Sequence, residues 1–249
     1  MLHLTARTVH GRPLHDPQVA RKLWGALSKA FPEAMACCLM GNHLHLAVEG
    51  ESGRAQRALR AILGRTKGDW EPVPAAKVVP DKRDKVLREL RYIHLNPCRA
   101  GLAKDPLAWP WSTHRDVLGA ITEPWVSARR LDHLIEAEAF HRYVSADPSV
   151  AIDGTPVPRI SVARYQHPLA EIALAALSST RSESADLRRR RLARRVFLQL
   201  AREQGWTSSE QLSALCEVTP RAVQKAWAAA PIYGAARLCL HDERLRRVR

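Results

Sequence analysis

Gly41-Asn42-His43-Leu44-His45-Leu46-Ala47-Val48 sets two histidines on either side of one apolar residue. The run before it, Met35-Ala36-Cys37-Cys38-Leu39-Met40, is apolar, and Gly-Asn between two such runs predicts strand, two-residue turn, strand. Side chains alternate faces along a strand. His43 and His45 therefore share one face. Leu44, Leu46 and Val48 share the other, where they can enter a core. Taken alone, the pair reads first as two exposed histidines on a half-buried strand. It reads second as half of a metal site, because two imidazoles side by side on a rigid strand are preplaced ligands.

A second stretch, Arg91-Tyr92-Ile93-His94-Leu95-Asn96-Pro97-Cys98-Arg99-Ala100-Gly101, changes that balance. Val86, Leu87, Leu90 and Ile93 recur at helical spacing from about Asp81. Pro97 is expected to end the helix, since the residue before a proline is pushed out of the helical region. Tyr92 and Asn96 stand four apart and so lie on one helix face. A tyrosine hydroxyl is a candidate nucleophile. An amide oxygen is an acceptable ligand for Mg²⁺ or Mn²⁺. His43, His45 and Asn96 with Tyr92 one turn away make a candidate phosphoryl-transfer site.

His43-Leu44-His45 resembles the His-hydrophobic-His motif of the single-tyrosine HUH nucleases. "LMGNHLHLAVE" and "RYIHLNPCRAGLAKDPLAWPWSTHRDVLG" together resemble the insertion-sequence-type transposases of that class, closest to the REP-associated tyrosine transposases. The resemblance covers roughly residues 1 to 120. It implies an α+β fold, with a ferredoxin-like antiparallel sheet and packed helices. It also implies a divalent metal, Mg²⁺ or Mn²⁺, on His43, His45 and Asn96, and Tyr92 as the residue that cleaves single-stranded or hairpin DNA. Two features depart from the family. Gly41 stands where a proline is usual. The segment between the His strand and the Tyr helix is short, reduced to Pro74-Ala75-Ala76-Lys77-Val78-Val79.

Composition points the same way. The 249 residues leave room for one large domain or two small ones. A formal net charge of +14 calls for a polyanionic partner, nucleic acid before acidic membrane. No apolar run is long enough to span a bilayer, so no membrane association is expected. Five cysteines at irregular spacing give neither a disulfide framework nor a zinc pattern. A reducing, cytoplasmic, nucleoid-associated setting of bacterial type fits.

Taken in order, residues 2–10 read as a strand containing His3, which counts here as a strand residue rather than a ligand. Residues 17–31 read as a helix, and 52–67 as a helix with Arg54, Arg57, Arg60, Arg65 and Lys67 on a basic face. That face serves either solvent or a DNA backbone. Val73–Val79 is an expected edge strand. Trp70, Trp109, Trp111 and Trp125 pack on the sheet or stack on unpaired bases, the former preferred. Arg99 follows the Tyr helix and is a candidate DNA contact. Residues 121–185 read as a helical extension, with a helix over 127–143, followed by a linker.

From Asp186 to Arg249 there are 14 Lys+Arg against 6 Asp+Glu. Arg188-Arg189-Arg190-Arg191 opens a helix that Gly205 ends. Ser208-Ser209-Glu210-Gln211 is a capping-box pattern, and Thr219-Pro220 caps a third helix. "LSALCEVTPRAVQKAW" resembles a helix-turn-helix, with Glu217 where the turn usually has glycine. The expected organisation is therefore 1–120 nuclease, 121–185 extension and linker, 186–249 small all-α basic helix-turn-helix domain. Arg188, Arg189, Arg190, Arg221, Gln224 and Lys225 are its candidate DNA contacts.

The expected activity is transposase-like cleavage and rejoining of DNA through a covalent 5′-phosphotyrosine, by a monomer or homodimer. The alternative is a domesticated or non-catalytic DNA-binding regulator of repetitive hairpins.

Overall fold

The computed structural model describes residues 1–9, 14, 16–66, 69–121, 123–146, 167–180, 187, 190–231 and 234–240. The chain folds as two compact units, Met1–Val117 with Trp125–Thr155, and Leu118–Pro124 with Pro156–Arg249. The architecture is mixed α+β, with one small antiparallel sheet and several helices. Among the described residues no helix is long and apolar enough to cross a membrane.

The first unit runs β1 (Leu2–Arg7), α1 (Pro17–Ala30), β2 (Ala36–Leu39), β3 (His43–Val48), α2 (Ser52–Leu63), β4 (Lys77–Val78), α3 (Arg83–Arg99), α4 (His114–Val117) and α5 (Ala137–Ser145). The strands lie in the order β2-β3-β1-β4, all neighbours antiparallel. The two-residue turn between β2 and β3 forms as the Gly-Asn signal predicts, with Met40 N donating to His43 O at 2.7 Å. Its position is fixed from outside. Thr8 N and Oγ1 both donate to Asn42 O, at 2.9 and 3.0 Å.

Leu2, Leu4 and Ala6 of β1 and Leu44, Leu46 and Val48 of β3 are buried. They form one apolar face of the sheet, as the alternation requires. β2 is buried at every residue, which fits its unbroken apolar sequence. The tryptophans pack in this unit. Trp24 meets the rings of Trp111 and Trp125 at 6.0 and 5.2 Å. The indole N–H groups of Trp109 and Trp125 donate to the carbonyls of Leu39 and Phe31.

Three elements differ from the expectations. Pro97 does not end α3. It lies inside the last turn, where its missing N–H deprives only the Ile93 carbonyl of a helical partner. The stop comes at Gly101, with φ of 68°. Gly101 N donates to Cys98 O and Leu102 N to Pro97 O, the paired bonds of a Schellman cap. The edge strand shrinks to Lys77–Val78, paired with Leu2 and His3, because Pro72 and Pro74 cannot donate to a ladder. The helix expected over 127–143 is a 3₁₀ turn at Ala128–Arg130 and then α5. Between them the Leu134 carbonyl accepts from Arg83 Nε at 2.7 Å rather than from a following helical turn.

The second unit holds α6 (Leu169–Ser179), α7 (Arg191–Glu203), α8 (Ser209–Cys216), α9 (Pro220–Ala228) and α10 (Gly234–Leu240). Ile172 and Ala176 of α6 join Phe197, Leu200, Leu212, Val223 and Leu240 in one core. Within the extension and linker expected over 121–185, residues 169–179 form α6 with Thr180 at its C-cap, while 147–166 and 181–185 lie outside the described residues. Ser208 Oγ accepts from Gln211 N, and Thr219 Oγ1 from Ala222 N. Gly205 takes φ of 90° where α7 ends.

Candidate functional site

β1, β3 and α3 bring His3, His43, His45 and Tyr92 together. His43 and His45 point to one face of β3, with ring centroids 5.0 Å apart. The antiparallel register sets Thr5 opposite His45 and Arg7 opposite His43. The Tyr92 ring meets the His45 ring edge-on at 5.6 Å and the His3 ring at 6.1 Å. Tyr92 is 39% exposed, so a polymeric substrate can reach it. Arg99, two turns further along α3, lays its guanidinium over the Tyr92 ring at 5.3 Å.

His43 and His45 are each held at Nδ1, and His3 at both ring nitrogens. His43 Nδ1 pairs with Asn42 Oδ1 at 2.7 Å. His45 Nδ1 pairs with His3 Nε2 at 2.9 Å. His3 Nδ1 pairs with Glu89 Oε1 at 2.7 Å, and Lys77 Nζ donates to Glu89 Oε2 at 2.6 Å. His45 Nε2 is buried with no hydrogen-bond partner. Burial pushes His45 down to about 3, with the neighbouring His3, His43 and Arg7 acting in the same direction. Burial also lowers His43, helped by Arg7. Burial lowers His3 against the pull of Glu89. Burial opposes the charge on Glu89, but the bonds from Lys77 and His3 prevail and hold its carboxyl below the ordinary range. All three imidazoles are thus neutral at pH 7 beside an ionised carboxylate.

Asn96 lies one turn beyond Tyr92 and donates its Nδ2 to the Tyr92 carbonyl at 3.0 Å. Among the described residues no group of three or more His, Cys, Asp or Glu side chains is arranged to hold a metal ion. The candidate donor set is different in kind, two imidazoles and an amide. An unpartnered buried imidazole nitrogen costs roughly 1–3 kcal/mol, and a ligand at His45 Nε2 removes that cost. His45 Nε2 fits a cation on that ground.

A cavity of about 530 Å³ opens beside Tyr92. Arg88, Arg91 and Arg99 of α3 and Lys77 of β4 contribute its cations, Glu89 its carboxylate, and His3 and Tyr92 line it as well. Arg91 also stacks over Tyr143 at 4.8 Å. Guanidinium groups gathered in this way suit anionic oxygens. Arg54, Arg57 and Arg60 are exposed along α2 and do not line that cavity.

In the second unit Arg190, Arg221, Gln224 and Lys225 are exposed, while Arg188 and Arg189 lie outside the described residues. Val223 is buried, and Gln199 Nε2 reaches the carbonyls of Ala226, Ala229 and Ala230 at the end of α9. α9 is thereby anchored by one side and shows its polar side outward. A groove of about 260 Å³ between α7 and α9 carries Arg191 and Lys225 at its rim.

Sequence reasoning missed Glu89, Lys77 and Asn42, and took His3 for a plain strand residue. The signal for Glu89 was its place three residues before Tyr92, on the same face of α3. The signal for His3 was that antiparallel pairing puts β1 and β3 imidazoles on one face once the register is known.

No protein-family model matches the chain, and no curated protein does. Among solved structures, a REP-associated tyrosine transposase bound to a REP hairpin matches at 24% identity with a TM-score of 0.39. The match covers 47% of this chain and 78% of that one.

Proposed function

We propose that the first unit is a single-tyrosine HUH nuclease of ferredoxin-like architecture that cleaves and rejoins single-stranded or hairpin DNA. One observation carries the reading: the accessible Tyr92 packs against His45, whose Nε2 is buried, neutral and without a partner. The strand order β2-β3-β1-β4 supports the architecture.

His43 Nε2, His45 Nε2 and the Asn96 amide oxygen would hold Mg²⁺ or Mn²⁺, which when bound supplies Lewis-acid polarisation of a phosphate oxygen. The residues of the chain do the rest. Arg88, Arg91 and Arg99 draw the phosphodiester to the Tyr92 face. Tyr92 Oη attacks phosphorus and loses its proton. The P–O3′ bond breaks, the 3′ oxygen takes up a proton, and a 5′-phosphotyrosine remains. A 3′-hydroxyl attacking that linkage restores the tyrosine and joins the strand, so no external energy source is needed. The second unit adds DNA affinity through α9, with Arg221, Gln224 and Lys225 facing the nucleic acid.

The test is a denaturing gel after mixing protein, Mn²⁺ and labelled hairpin oligonucleotides, with Tyr92→Phe alongside. The expected result is a slow, protease-sensitive band absent from the variant. A native-gel shift without any covalent band would instead identify a non-catalytic binding protein of hairpin DNA.

A further inference from the structure

We propose that Glu89, steadied by Lys77 and acting through His3, fixes the His45 ring in the tautomer that presents a bare Nε2 lone pair to a metal. The proposal rests on reading His43 and His45 as metal ligands, and makes Glu89, Lys77 and His3 positioning residues rather than ligands.

An ammonium only donates and an ionised carboxylate only accepts. Lys77 Nζ therefore donates to Glu89 Oε2, and Glu89 Oε1 obliges His3 Nδ1 to carry a hydrogen. His3 is 6% exposed, and burial disfavours a second proton on it, so its Nε2 is an acceptor. At 2.9 Å from that acceptor, His45 Nδ1 must carry the hydrogen. A neutral imidazole has only one, so His45 Nε2 holds a lone pair, and that atom is the one buried without a partner.

The relay spans four elements in a line: Lys77 on β4, Glu89 on α3, His3 on β1 and His45 on β3. Glu89 is 8% exposed. A buried carboxylate at that depth is costly unless it is paired, and both its oxygens are used here. His43 reaches the same state locally, because Asn42 Oδ1 accepts from its Nδ1. Both imidazoles thus offer the same nitrogen, one set by a neighbour in the turn and the other from across the sheet. Partners of this kind orient metal-bound histidines generally.

Two readouts separate the relay from the metal reading. The first is long-range ¹H–¹⁵N correlation of the histidine rings in the metal-free protein. His45 should show a protonated Nδ1 and a bare Nε2. In Glu89→Ala and in His3→Phe that pattern should invert or average, while Glu89→Gln, which keeps an acceptor for His3, should retain it. The second is Mn²⁺ titration followed by electron paramagnetic resonance. Glu89→Ala and His3→Phe should weaken binding by about 10- to 100-fold, and His45→Ala should abolish it. The ring signals of His94 and His114, both fully buried in the same unit, report that each variant is folded, and the more exposed Lys77→Met serves if the buried changes are not.

An unchanged His45 pattern in the folded variants overturns the relay. So does a wild-type His45 protonated at Nε2. If instead the pattern shifts as expected but neither wild type nor His45→Ala binds Mn²⁺, the relay stands and the metal reading fails.

Discussion

Glu217 shows at the scale of one residue how a local conflict survives in a folded helix pair. It is the only non-glycine residue with positive φ among those described, at φ 51° and ψ 50°. A side chain there costs roughly 1–2 kcal/mol. The bend is needed because α9 must leave α8 at once, with Thr219 already capping it. Glu217→Gly removes the strain but loosens the unfolded chain by about 0.4–1 kcal/mol. The expected net gain is about 0.5–1 kcal/mol, read from the midpoint of denaturant unfolding of the full chain. A loss of stability would mean that the Glu217 side chain contributes more than its backbone costs. The turn's departure from glycine was visible in the sequence. So were His43, His45, Tyr92 and Asn96, because strand and helix periods place them on faces without help. His3 and Glu89 were not, because their roles depend on pairings 42 and 86 residues apart along the chain, and no local pattern carries such a distance.

Elements were legible where one period dominated and not where a tertiary contact decided. α1, the β2–β3 turn and the caps of α8 and α9 followed from local chemistry. The end of α3, the length of β4 and the break before α5 followed from Gly101, two prolines and Arg83. The packing of α3, α4 and α5 has a consequence of its own. His94 of α3 and His114 of α4 are fully buried, with ring centroids 5.1 Å apart, and His114 Nε2 lies 3.0 Å from His141 Nδ1 of α5. Burial pushes His94 down to about 3 and His114 well below its ordinary value, with His94 and His141 adding to the latter. His141 is lowered by burial, partly offset by Asp105. These groups stay neutral in the fold, whereas in the unfolded chain they take up protons below about pH 6.5. Their contribution is complete above that pH and is lost as pH falls through the window toward 3. His94 alone should cost about 2 kcal/mol between pH 7.5 and 5. Urea unfolding at pH 7.5 and pH 5 should show the first unit weakened by at least that amount, and His94→Gln should flatten the dependence. Equal stability at both pH values would show that these rings take up protons as readily in the fold as in the unfolded chain.

Over the whole molecule the governing quantity is charge. Of the cations behind the net charge of +14, Lys77, Arg88, Arg91 and Arg99 line the cavity beside Tyr92, and Arg191, Arg194, Arg195 and Lys225 line the groove between α7 and α9. Composition alone announced a polyanionic partner but not which cations share a surface, since that requires the fold. If both places meet DNA, they should be separable by salt. Each neutralised phosphate of a duplex contributes about 0.9 to the slope of log affinity against log salt, and of a single strand about 0.7. Replacing Arg191, Arg221 and Lys225 by alanine should therefore lower that slope by about 2–3 for a hairpin with a duplex stem. The covalent yield of Tyr92 on a short unpaired strand should be untouched. Tyr92→Phe should do the reverse, leaving affinity and slope unchanged while the covalent product disappears. Native-gel affinities at several salt concentrations, with the covalent assay run on the same variants, distinguish the two surfaces. If the triple substitution removes covalent product and leaves the slope alone, the α7–α9 surface does not grip duplex DNA, and its cations act on the first unit's chemistry instead.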